Sequence, residues 1–147
     1  MMTNGMVVAP QPEAVETGLD ILRDGGNVVD AAIGAAFVQT VVDPQMCGIA
    51  GFGSMHLYLA DKGVHTCIDF HGRAPLATKP DMWEELVERE CEDGFGFILE
   101  GRLNEIGYQC MTTPLTLKAF DQAMDRYGTR SLADVLIPAI QYCEEGF

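Results

Sequence analysis

DGGNVVDAAIGAAFVQTVVDPQMCGIAGFG, residues 24–53, decides the fold. The stretch reads as a glycine break, a capped helix, a proline stop and a glycine-rich loop. Asn27 is a good N-cap, and Asp30 three residues later sets a carboxylate against the positive helix end. From Val28 to Val42 the residues are Val, Ala, Ile and Phe on almost every side. A helix apolar all round has to be covered all round. Broken by Asp30, Gln39 and Thr40, it is too short and too polar to span a bilayer. It is therefore a central core helix that the other elements bury.

Upstream, Gly5–Ala9 reads as a short buried strand ended by Pro10 and Pro12. Glu13–Asp24 carries Val15, Leu19 and Leu22 at helical spacing, with Gly25-Gly26 as the stop. Downstream, Asp43-Pro44 ends the central helix. The three glycines between Cys47 and Ser54 follow a helix and precede a strand-like run, the reverse of a phosphate cradle. Close backbone approach or positive φ explains them better. Met55–Ala60 and Val64–Phe70 flank the turn Asp61-Lys62-Gly63, so a hairpin is predicted.

Pro80–Glu90 is expected as a helix with Met82, Trp83, Leu86 and Val87 inward, whereas Cys91–Met111 resists assignment. Thr113-Pro114 reads as an N-cap with proline at the first helical position, ahead of Leu117, Phe120, Met124 and Tyr127. Ser131 with Asp134 opens a last helix, bent or restarted at Pro138 and closed near Gly146. The class is α+β or layered α/β. Two or three strands make a poor sheet alone, so further strands are expected from chain outside this sequence.

The 147 residues suit one domain, and 48% apolar content places the chain among globular proteins. Twenty-two acidic residues against 9 basic ones give a net charge of -13. This argues against binding nucleic acid or an anionic membrane. Five scattered cysteines, no C-x-x-C and no leader-like start point to reduced thiols in the cytoplasm. A trimmed N-terminus would make a periplasmic or secreted protein look the same.

His56, His65 and His71 lack metal-ligand spacing on one helix, and so do the cysteines; no metal is expected. Cys47 has no local base, so an inert thiol is favoured over a thiol hydrolase. Helix capping accounts for Thr113 without a nucleophilic role for Thr112-Thr113. Asp69-Phe70-His71-Gly72-Arg73 is different, because residues 69, 71 and 73 share a side if the strand continues. An arginine there could take a substrate carboxylate in a two-pronged pair. A structural Asp-Arg pair at the hairpin end is the competing reading.

The ordered set Pro12, Ala14, Leu22, Gly25-Gly26-Asn27 and Asp30-Ala31-Ala32 resembles the gamma-glutamyltransferase family. The likeness continues through Val42-Asp43-Pro44, Gly48–Gly53, Ile68-Asp69-Phe70 and Ala74-Pro75. It resumes at Tyr127-Gly128 and at Ala139 to Glu145-Gly146-Phe147. The resemblance implies an N-terminal nucleophile hydrolase of layered αββα type, whose precursor cuts itself into a large and a small subunit. The small subunit begins with the catalytic threonine, which cleaves gamma-glutamyl or related amides and passes the acyl group to water or an amino acid. No cofactor is implied.

On this likeness residues 1–147 are the N-terminal portion of the large subunit, a single incomplete domain with no catalytic residue of its own. Its partners are the small-molecule amide and the remainder of the same precursor. Family members commonly carry arginine directly after Asp-Phe, gripping the donor's α-carboxylate; here His71 stands there and Arg73 is the nearest arginine. Gly72-Arg73-Ala74-Pro75 is more similar to the acylase-like branch. Arg73 with His71 is the expected carboxylate-binding pair. The alternative, from a different class, is a non-catalytic scaffold that packs against another chain.

Overall fold

In a computed structural model, which describes residues 5–147, Asn27 begins the central helix as its sequence predicts. The Asn27 side chain accepts hydrogen bonds from the Val29 and Asp30 amides, and the Asp30 carboxylate accepts from the Asn27 amide. This reciprocal box opens α2 (Val28–Val42). Helix α1 (Pro12–Arg23) packs along it, and Gly34 permits the approach: a Cβ there would sit 2.3 Å from Ile21 Cδ1.

The chain divides into two compact units, one of residues up to 71 with 115–147, the other of residues 72–114. In the first, α2 is the centre. Around it lie α1, a hairpin of β1 (Ser54–Leu59) and β2 (Val64–Asp69), and the helices α3 (Thr116–Tyr127) and α4 (Leu132–Glu145). Val29, Ile33, Phe37 and Val38 of α2, with Val135 of α4, are fully buried. Each such side chain contributes about 1.5–3 kcal/mol by leaving water. Phe120 meets Phe37 edge to face, with centroids 5.2 Å apart at 88°, and also touches the Phe70 ring.

The hairpin forms within a residue of its predicted bounds, in the register Ser54↔Asp69 to Leu59↔Val64. Met55, Leu57 and Leu59 face the core, whereas Ser54, His56, Tyr58, His65, Cys67 and Asp69 face away. The second unit holds an antiparallel pair, β3 (Val87–Glu90) and β4 (Phe97–Leu99), joined by a turn and flanked by short 3₁₀ segments. The protein is a mixed helix-and-sheet structure of the α+β kind. No helix among the described residues is long and apolar enough to cross a membrane.

Several expectations need correction. Gly5–Ala9 takes no regular secondary structure and joins no strand among the described residues: Val7 and Ala9 pack on the core while Met6 and Val8 stay exposed. Pro80–Glu90 is not a helix; a 3₁₀ turn at Glu84–Leu86 leads into β3. Glu84 and Glu88 would repel at helical spacing, and β4 offers Val87–Glu90 backbone partners instead. Helix α3 starts at Thr116 with Leu115 as an unassisted N-cap, not at Thr113-Pro114. Of the apolar positions expected to recur there, Leu117 is exposed, and Ala119 and Ala123 are buried in addition to Phe120 and Met124.

Ser131 and Asp134 do form a capping box, and α4 runs through Pro138 without restarting. Helix α2 is not covered all round by the described residues. Val28 and Ala32 are exposed, and with Ala36 they floor a groove of about 380 Å³ beside Val7–Pro10.

Candidate functional site

The end of β2 sets the candidate residues. The Phe70 amide donates to the Gly53 carbonyl at 3.0 Å, which carries the hairpin pairing one step past Asp69. Phe70 is thereby buried, and Asp69 and His71 are exposed on either side of it. Asp69 Oδ1 accepts from the His71 amide at 3.1 Å and lies 2.7 Å from His71 Nδ1. The Phe52 ring flanks the imidazole, with centroids 5.6 Å apart and planes at 33°. With Nδ1–H given to Asp69, Nε2 is the nitrogen left for another partner. Both side chains are well exposed, so the pair adds orientation more than stability.

His71 closes the first unit, and Arg73 lies in the second. Arg73 is exposed at its side chain, and its backbone carbonyl accepts from the Thr113 amide at 2.9 Å in an antiparallel bridge. Gly72 is required by the same pairing, since a Cβ there would stand 2.1 Å from Thr112 Oγ1. Thr112 and Thr113 thus fasten the two ends of this unit to each other. That role replaces the helix cap expected of Thr113.

The loop glycines behave as close-approach residues. Gly48, Gly51 and Gly53 all have negative φ, and a Cβ on Gly53 would press against the Phe70 ring at 3.1 Å. The loop borders a groove of about 650 Å³ with Cys47, Phe52, Phe70 and Thr116 on its walls. The Cys47 thiol is shared between the Gln39 and Asp43 carbonyls at 3.3 and 3.4 Å, both of which also accept backbone amides at the end of α2. Burial, and then the neighbouring Asp43 charge, push this thiol up from its ordinary range. Both effects disfavour a thiolate nucleophile.

Two features escaped the sequence. Asp30, read as a helix-end carboxylate, is fully buried and binds the turn after α3 as well as its own helix. His56 and His65 meet across the hairpin with Nε2 atoms 2.7 Å apart. The turn length and face alternation hold that second signal, because together they fix the register.

Against known proteins, the profile described as Gamma-glutamyltranspeptidase matches residues 14–147. The chain is 41% identical over 145 residues to the acylase ACY 1 proenzyme of Pseudomonas sp. strain V22, spanning 99% of this chain and 25% of that protein. It is 36% identical over 144 residues to the glutathione hydrolase proenzyme of Bacillus subtilis strain 168, spanning 98% of this chain and 23% of the relative. The crystal structure of Helicobacter pylori gamma-glutamyltranspeptidase superposes with a TM-score of 0.82 at 30% identity, over 100% of this chain and 40% of that one. Cephalosporin acylase from Bacillus halodurans gives 0.75 at 33% identity, over 93% and 23% respectively. The chain spans about a quarter of the length of these curated relatives.

Proposed function

Because the chain belongs to the gamma-glutamyltranspeptidase family, we propose that it is the N-terminal part of the large subunit of a self-processing amide hydrolase or acyltransferase. The profile match over residues 14–147, together with the likeness to relatives named as proenzymes, carries this reading. In it, the nucleophile is a threonine at the start of the small subunit, outside this chain. Its hydroxyl adds to the amide carbonyl while its free amine takes the proton. The amine product then leaves with a proton, and water or an amino acid releases the acyl group from the ester. Within the intact protein the hairpin is one edge of a layered αββα body, to which the remainder of the precursor adds strands.

Arg73 and His71 are the residues we assign to the substrate's carboxylate. A guanidinium can hold a carboxylate with two parallel hydrogen bonds. His71, held by Asp69 through Nδ1, offers Nε2 for a further polar contact with the substrate. With histidine after Asp69-Phe70, an acyl amide of the acylase type is the favoured substrate over glutathione. Five unpaired cysteines favour a reducing, cytoplasmic compartment.

The test is hydrolysis by the intact protein of gamma-glutamyl-p-nitroanilide and glutaryl-p-nitroanilide, with glycylglycine as acceptor. Release of nitroaniline from either supports the reading, and faster release from the glutaryl amide supports the acylase-type preference. No release from any acyl anilide would leave the scaffold reading in its place.

A further inference from the structure

Helix α2 leaves one stripe uncovered among the described residues. Val28, Ala32 and Ala36 follow one another at four-residue steps, on one face of the helix. Val28 and Ala32 are exposed and Ala36 is half-buried. They floor the groove of about 380 Å³ beside Val7–Pro10, and no charged side chain lines it. In a chain of net charge -13 an uncharged apolar floor of this kind is a surface made to be covered.

Two backbones border the stripe. One is β1, which shares a ladder with β2 along a single edge. Leu59 shares a cleft with Val28, and Ser54 shares one with Ala36 and Gln39, so β1 runs against the direction of α2. The other border is residues 5–9. Gly5 lies against Leu22 and Val7 against Gly18, while the Gln11 side chain reaches Asp43, just past the end of α2, at 3.5 Å. This segment therefore runs with α2 and opposite to β1. Its side chains alternate, Val7 and Ala9 on the core and Met6 and Val8 outward, which is the pattern of a strand without a ladder.

From Val28 to Ala36 the helix rises about 12 Å, which an extended chain crosses in about four residues. The small side chains at 32 and 36 admit a backbone close to the helix. An apolar small molecule would cover the stripe but leave the backbone of residues 5–9 unpaired, whereas a strand meets both needs. The chain spans about a quarter of its curated relatives, so a precursor of that length has chain to supply one.

We propose that a strand from the remainder of the precursor lies on Val28, Ala32 and Ala36 and pairs with residues 5–9, which thereby join the sheet of β1. This contact rests on the longer precursor of the proposed function but not on its threonine chemistry.

Photo-crosslinking of the intact precursor tests it, with p-benzoylphenylalanine in place of Val8. The expected products join position 8 to a peptide outside residues 1–147 of the same molecule. Hydrogen exchange of the parent should show residues 5–9 protected, and N-ethylmaleimide should label Ala32→Cys only after denaturation. Both protections should persist on dilution. Rapid native exchange at residues 5–9 or native labelling of Ala32→Cys would overturn the proposal, as would cross-links confined to residues 1–147. Protection that fades on dilution, or cross-links to a second molecule, would make the occupant another copy and overturn it equally. An uncut, inactive precursor with both protections and the expected cross-links would keep this contact while removing the threonine mechanism.

Discussion

Asp30 and Thr129, 99 residues apart, are joined by two hydrogen bonds: the Thr129 amide donates to Asp30 Oδ1 at 2.9 Å, and the Thr129 hydroxyl donates to Oδ2. Oδ1 also accepts from the Arg130 amide, and Oδ2 from the Asn27 amide. Asn27 Nδ2 in turn donates to the Tyr127 carbonyl at 2.7 Å. One buried carboxylate thus satisfies the start of α2 and the turn that separates α3 from α4. The two halves of the first unit meet there.

Replacing Asp30 by alanine should cost about 3 kcal/mol or more, because it strands several buried donors together. Urea unfolding measures this. Burial alone would raise the Asp30 pKa, but the hydrogen bonds from Thr129, Asn27 and Arg130 outweigh it and hold it below the ordinary 3.8. A depressed folded value stabilises the protein above the unfolded pKa, and that stability is lost as pH falls through the folded one. The parent chain should therefore lose stability below about pH 4, and Asp30→Asn should flatten that acid limb.

Gly72 is closed to any side chain by Thr112. Gly72→Ala should destabilise by about 1–3 kcal/mol through overpacking. A double-mutant cycle with Thr112→Gly should return a coupling energy well above zero, since removing the threonine side chain relieves the clash. Additive costs would mean that the two residues do not meet.

The Cys47 thiol should resist alkylation. It is hydrogen-bonded to two carbonyls and its pKa is raised, whereas Cys67 and Cys143 are exposed. Iodoacetamide at neutral pH, followed by peptide mass spectrometry, should label Cys67 and Cys143 first. Rapid labelling of Cys47 would reopen a thiol chemistry for the loop.

On the proposed function, Arg73→Ala in the intact protein should raise KM for a carboxylate-bearing amide at least about tenfold, as the loss of a charged two-pronged contact would. Amides lacking that carboxylate should be affected little. His71→Asn should act in the same direction and more weakly. Unchanged KM and kcat in Arg73→Ala would remove Arg73 from the substrate's surroundings.

What was legible in the sequence is what local signals encode. Asn27 and Asp30 cap α2, Ser131 and Asp134 cap α4, and Asp61-Lys62-Gly63 closes the hairpin, with Gly63 at φ 60°. The failures share one cause. Val87–Glu90 looks helical until Phe97–Leu99 supplies a ladder, and Thr113 looks like a cap until Arg73 takes its amide. Gly5–Ala9 has strand composition, but its packing runs to α1 and the core helix, with Val7 against Gly18. The Asp30–Thr129 link and the His56–His65 pair likewise depend on partners that only the fold brings near. Asp69 and His71 were legible together because two residues of one strand end need no distant information.

The most direct test of the proposed function is the intact mass of the purified precursor that contains this chain. Self-processing predicts two polypeptides whose masses sum to the precursor, the smaller beginning with threonine, and their loss when that threonine is replaced by alanine. A single uncut polypeptide that still cleaves acyl anilides would contradict the threonine mechanism.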